Sequence, residues 1–126
     1  MSKTNRELTK TYHIVFDAIG CNEENLDSEK FVFKLLMQIP KLIDMKVLSG
    51  PNIIRDYNPD KKGVTGFAII NFSHISIHTF PSTQEIYIDI FSCREFDYFK
   101  IKEYLKKILS VEDKAVASLE VKYPWE

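Results

Sequence analysis

Between Gly63 and Cys93 the chain is built almost wholly from strand-forming residues, with a clear break at Pro81-Ser82-Thr83. Gly63 to Phe72 is apolar and rich in β-branched side chains. His74 to Phe80 alternates, and Glu85 to Cys93 alternates cleanly. In that last run Ile86, Ile88 and Ile90 share one face, and Tyr87, Asp89, Phe91 and Cys93 share the other. Consecutive runs of period two joined by short turns predict neighbouring antiparallel strands with one buried face.

The flanks add helices and further strands. Thr11 to Ala18, with the run Tyr-His-Ile-Val-Phe-Asp, is short and β-rich and reads as a first strand, and Gly20-Cys21-Asn22 ends it. Asp27 or Ser28 is placed to cap a helix whose apolar positions Phe31, Leu35, Leu36 and Ile39 follow the 3.6 period. Pro40 is expected to kink or end that helix. Lys46 to Ile54 reads as a strand interrupted at Gly50-Pro51, and Arg55 to Lys62 as a loop. Asp97 is the expected cap of an amphipathic helix through Tyr98, Ile101, Leu105 and Ile108, followed by a strand near Ala115 to Val121. The predicted fold is α+β: a two-layer sandwich of a largely antiparallel sheet with two helices on one face, over residues 1–126 as a single domain. If the isoleucine face meets the helices, Tyr87 and Phe91 lie on the other face. Aromatics there predict that a second copy covers it, giving a homodimer.

At 126 residues the chain has room for one core and not two. Seventeen basic and 18 acidic residues leave a net charge of −1, which provides no basic field for nucleic acid or for a membrane surface. No apolar run approaches a membrane span, and Met1 to Lys10 lacks the apolar core of a signal peptide. The 2 cysteines, Cys21 and Cys93, make no disulfide framework. A soluble cytoplasmic protein is expected.

The chemistry-bearing residues cluster in Phe72-Ser73-His74-Ile75-Ser76-Ile77-His78-Thr79-Phe80-Pro81 and Asp89-Ile90-Phe91-Ser92-Cys93. A hydroxyl, two histidines and a thiol this close suggest an acyl-transfer nucleophile. On spacing alone the stronger reading of His74, Ser76 and His78 is the ordinary polar face of an alternating strand, since a run this short is a weak signal. Metal binding is disfavoured, because His74 and His78 share a strand face without a nearby third ligand. Cys21 reads as a packing or turn residue, His13 as a strand residue without an identified partner, and Trp125 as a packing anchor. Asp17 and Asp89 are either solvated or contacts for a cationic substrate.

Ser-His-Ile-Ser-Ile-His-Thr-Phe-Pro followed by Asp-Ile-Phe-Ser-Cys resembles the signature of the small prokaryotic S-adenosylmethionine decarboxylase proenzymes. Ser73, His78 and Cys93 fall at that family's spacing, and Gly63-Val64-Thr65-Gly66 is similar to its Gly-Val-Ser-Gly. The resemblance extends over most of the chain. It implies self-cleavage between Phe72 and Ser73 into 1–72 and 73–126, with Ser73 converted to a pyruvoyl group. Ser73 Oγ would attack the Phe72 carbonyl, Thr65 would serve the oxyanion, and His78 would take the Cα proton of Ser73 during elimination. The pyruvoyl ketone would then form a Schiff base with the substrate amine. Cys93 would return a proton after decarboxylation; a free thiol titrates near about 8.5 and is mostly protonated at pH 7. The implied role is in polyamine (spermidine) biosynthesis.

Geometry attaches a condition to this scheme. Residues an odd number apart on a regular strand point to opposite faces, so His78 reaches Ser73 only if the chain bends between them or the strand starts later. The sequence also departs from the family. Phe72 stands where a glutamate is usual, and Phe80 replaces a tryptophan that stacks on a ring. Ser82 replaces a glutamate expected to bind the ribose hydroxyls, and Glu85 on the next strand is the available substitute. These changes open two alternatives: the same chemistry on arginine or ornithine, or an uncleaved regulatory homologue.

Overall fold

A computed structural model describes residues 8–124, so Trp125 lies outside the described residues. The chain runs β1 (Tyr12–Ala18), α1 (Glu23–Leu26), α2 (Glu29–Leu42), β2 (Val47–Asp56), β3 (Gly63–Ile70), β4 (Ser73–Phe80), a 3-10 turn (Pro81–Thr83), β5 (Glu85–Ser92), α3 (Tyr98–Leu109), a second 3-10 turn (Asp113–Ala115) and β6 (Val116–Glu120). The strands form one six-stranded sheet in the order β2-β3-β4-β5-β1-β6, and every neighbouring pair is antiparallel.

The caps explain where the helices begin. Ser28 Oγ accepts from the Phe31 N–H at 3.1 Å and Asp97 from the Phe99 N–H at 3.0 Å, each satisfying an amide that helix geometry leaves unpaired. The mixed fold with an antiparallel sheet was expected; the four-residue α1 was not, and it makes three helices among the described residues rather than two. Pro40 lies inside the last turn of α2, which ends two residues later at Leu42. Gly50-Pro51 does not split β2: the strand passes through it with register shifts on either side of Ser49. Arg55 and Asp56, read as loop, close β2 against Val64 and Gly63.

Ile75, Ile77, Ile86, Ile88 and Ile90 pack with Leu35, Leu36, Ile39, Ile101 and Leu105, all at most 1% exposed. Each such side chain contributes roughly 1.5–3 kcal/mol by leaving water. Thr79 is the polar member of this layer: its hydroxyl donates to the Leu26 carbonyl at 2.7 Å and accepts from the Val64 N–H at 3.0 Å, tying α1 to the sheet. Among the described residues the opposite face has no helix. It carries Phe67, Ile69 and Leu119, at 38%, 45% and 59% exposure, beside a stack of rings in which His74 lies between Phe67 and Phe91.

Both glycines of Gly63-Val64-Thr65-Gly66 serve packing. A Cβ on Gly63 would fall 1.9 Å from the Thr79 carbonyl oxygen, whereas one on Gly66 would meet the flexible ends of Leu36 and Val32 at 2.7 Å. Gly66→Ala is expected to cost about 1–3 kcal/mol, the usual range for overpacking. Gly63→Ala should cost more, since backbone must move. Urea unfolding of the two variants measures the difference, and equal losses would contradict the contact.

Candidate active site

The alternation of β4 decides where its side chains go. Ser73, Ile75, Ile77 and Thr79 point toward the helices, and His74, Ser76, His78 and Phe80 lie on the opposite, outer face. Pairing with β3 and β5 is unbroken from Ser73 onward, with no bulge. The condition on Ser73 and His78 is therefore not met within this chain. At about 3.3 Å per residue, His78 lies roughly 16 Å along the strand from Ser73, and Phe80 roughly 23 Å.

Two clusters result. The first surrounds the Phe72–Ser73 peptide. Asn71 and Phe72 join β3 to β4, and Phe72 has a φ of 58°, in the left-handed region, which costs a non-glycine residue on the order of 1–3 kcal/mol. Its ring is 64% exposed. Its carbonyl accepts a hydrogen bond from the Cys93 N–H at 2.9 Å. Ser73 is buried, and its hydroxyl donates to Met45 Sδ at 3.3 Å. β5 ends at Ser92, where the chain leaves the sheet, and Cys93 is exposed just beyond it, in keeping with its outward place in the alternation. The buried Ser92 hydroxyl makes that exit: it donates to the Arg94 carbonyl at 2.7 Å and accepts from the Arg94 N–H at 2.9 Å.

The second cluster lies on the outer face toward the far end of β4. Thr65 Oγ1 and His78 Nδ1 are hydrogen-bonded at 3.0 Å, held by direct cross-strand pairing of the two residues. His78 is opposite Tyr87, which is opposite Asp17. Phe80 is opposite Glu85 and meets Tyr87 edge-on at 5.7 Å. Hydrogen bonds from the hydroxyls of Thr83 and Tyr87 hold the Glu85 carboxyl below its usual range, so it remains an ionised acceptor. Partial burial pushes Asp17 up. Ser82 lies exposed in the 3-10 turn that follows Phe80. The Lys61 ammonium stands 4.9 Å from the centre of the Phe80 ring.

Of the residues singled out by sequence, the fold thus gathers Phe72, Ser73 and Cys93 at one end, and Thr65, His78, Phe80, Ser82 and Glu85 toward the other. His13 does have partners: Asp89, and the Tyr123 hydroxyl at 2.7 Å from Nδ1. Asp89 is thereby an internal partner as well. Cys21 is fully buried and its thiol is pushed up to about 11 by burial, in keeping with packing. Met45, Tyr87, Ser92 and Arg94 were not legible, because each acts across the sheet or through a turn that no local pattern announces.

With this geometry in place, the comparisons with known proteins can be read. The sequence model of the family described as S-adenosylmethionine decarboxylase matches residues 12–120. The chain belongs to that family. It is 37% identical over 99 residues to an S-adenosylmethionine decarboxylase proenzyme of Clostridium botulinum (strain Langeland / NCTC 10281 / Type F), across 78% of this chain and 82% of the relative. A proenzyme of the same description from Methanococcus maripaludis (strain C5 / ATCC BAA-1333) is 31% identical over 83 residues, 66% of this chain and 65% of that one. The fold is similar to the crystal structure of the adenosylmethionine decarboxylase from Aquifex aeolicus VF5, with a TM-score of 0.75 over 91% of each chain at 21% identity. The family resemblance read from the Ser73 to Cys93 segment is borne out. Among the described residues no helix is long and apolar enough to cross a membrane.

Proposed function

We propose that this chain is the proenzyme of a pyruvoyl-dependent decarboxylase of S-adenosylmethionine, which cuts itself between Phe72 and Ser73. The observation that carries this reading is the Phe72 carbonyl. It belongs to a residue in left-handed backbone and accepts the Cys93 N–H at 2.9 Å. An amide already aimed at the carbonyl under attack can stabilise the negative charge that develops on its oxygen.

The steps follow from the residues. Ser73 Oγ, released from Met45, attacks the Phe72 carbonyl carbon. The C–N bond breaks and an ester replaces it, so Phe72 is free to leave its strained conformation. Removal of the Ser73 Cα proton by His78 then expels the Phe72 carboxylate. Water converts the resulting dehydroalanine to a ketone and releases ammonia, leaving residue 73 as the pyruvoyl head of 73–126. That ketone supplies the electron sink for loss of carbon dioxide. Cys93, exposed beside the same junction, is the residue placed to return a proton.

The separation of the two clusters supports a shared site. In a homodimer pairing outer face to outer face, with strands running in opposite senses across the interface, the Ser73 end of one copy lies over the Phe80 end of the other. His78, Thr65, Phe80 and Glu85 of one copy then serve the junction of its partner. Phe67, Ile69, Phe91 and Leu119 supply the apolar surface for that contact. Glu85, ionised and directly opposite Phe80, takes over the ribose contact that Ser82 cannot make with charge.

Release of carbon dioxide from carboxyl-labelled S-adenosylmethionine tests the activity. Wild type should release it and Ser73→Ala should not. Glu85→Gln should raise KM by about ten- to a hundredfold, the weight of a charge-assisted hydrogen bond of about 1.5–3 kcal/mol. Release from arginine or ornithine instead would contradict the substrate.

Co-expression tests the shared site. His78→Ala alone should stay whole, yet be cut when paired with Ser73→Ala, which lends it a His78. A His78→Ala chain that stays whole in the mixed pair would return His78 to its own protomer.

A further inference from the structure

Arg94 follows Cys93 directly and lies outside the chemistry described so far. Its Nη2 donates to two carbonyls in the segment leaving α2, Ile43 at 3.1 Å and Asp44 at 2.7 Å. Ile43 is the C-cap of α2, whose carbonyl helix geometry leaves without an amide partner, and Asp44 follows it, at the end where the helix dipole favours a cation. The same guanidinium lies 5.9 Å from the centre of the Phe72 ring, within the range of a cation–π contact.

The segment that Arg94 grips is also the one that holds the nucleophile. Asp44 precedes Met45, whose sulfur accepts the Ser73 hydroxyl. Asp44 itself adopts a left-handed φ of 54°, so its carbonyl is aimed by a tight exit from the helix. One side chain therefore links three parts of the junction: the turn that presents the Cys93 N–H, the loop that holds Ser73 Oγ, and the ring of the residue whose carbonyl is attacked.

We infer that Arg94 is a positioning residue for self-cleavage: it fixes the Cys93 N–H and the Ser73 hydroxyl relative to the Phe72 carbonyl by bracing their two loops against each other. The inference rests on the cleavage proposed above and assigns Arg94 to its first step, the shift from amide to ester. Small displacements at that step are costly, since an intramolecular attack depends on near-contact alignment.

The test follows cleavage of the full chain after cell-free synthesis, for wild type, Arg94→Ala and Arg94→Lys, with and without hydroxylamine. Hydroxylamine cuts any accumulated ester, leaving a hydroxamate on Phe72 and a free Ser73 amine. Arg94→Ala should slow cleavage at least tenfold without building up hydroxylamine-sensitive ester. Arg94→Lys, which keeps a cationic donor for the two carbonyls, should recover part of the rate, and millimolar guanidinium should speed Arg94→Ala. Melting of both variants in the Ser73→Ala background separates positioning from folding: the rate loss should exceed what any unfolded fraction explains. If wild type is cut and Arg94→Ala keeps pace within twofold, or accumulates ester, the inference is overturned. Wild type that never cleaves overturns the underlying reading and this inference with it.

Discussion

The hydrogen bond from the Cys93 N–H to the Phe72 carbonyl extends the β4–β5 ladder one rung past its last paired residues, Ser73 and Ser92. Much of the proposed chemistry depends on that rung. It fixes the Phe72 carbonyl, supplies a donor to its oxygen, and brings the Cys93 thiol to the junction at which the proposed scheme needs a proton. It exists because β4 and β5 are in a register set by the isoleucine face. A slip of one residue between them would carry either Ile75 and Ile77 or Ile86, Ile88 and Ile90 to the outer face and break the core. Packing of apolar side chains and placement of the reactive peptide are thus one constraint.

The same period of two divides the site. Because β4 is regular, Ser73 faces the helices and His78 the open side, and no local adjustment within the strand changes that. The outer-face aromatics and the unmet reach from His78 to Ser73 are the two observations behind the proposed dimer. In that proposal a second copy laid across the open face would cover the apolar side chains and bring a histidine to the junction by the same contact.

Much of this was legible in the sequence for local reasons. Ser28 and Asp97 announced their helices because a cap is a contact between near neighbours. Ile86, Ile88 and Ile90 announced the buried face because the period of a strand is local too. The reactive segment was legible through its likeness to a family. What escaped depended on contacts remote in sequence or on short turns. Cys93 was assigned to an outward strand face and is exposed one residue past β5, but no local pattern announced that its amide bonds the Phe72 carbonyl or that the Ser92 hydroxyl turns the chain at Arg94. His13 lacked a partner until folding brought Asp89 and Tyr123 to it. The four residues of α1 are too few to show a helical period, and Gly50-Pro51 interrupts a pattern of residues without interrupting the strand they form.

The most direct measurement on the central claim is the intact mass of the purified wild-type protein after prolonged incubation, with Ser73→Ala beside it. The account predicts that wild type resolves into 1–72, ending in the Phe72 carboxylate, and 73–126, beginning with a pyruvoyl group that blocks amino-terminal sequencing, while Ser73→Ala remains a single full-length chain. A wild-type protein that stays whole, or one that is cut at another peptide bond, would contradict it.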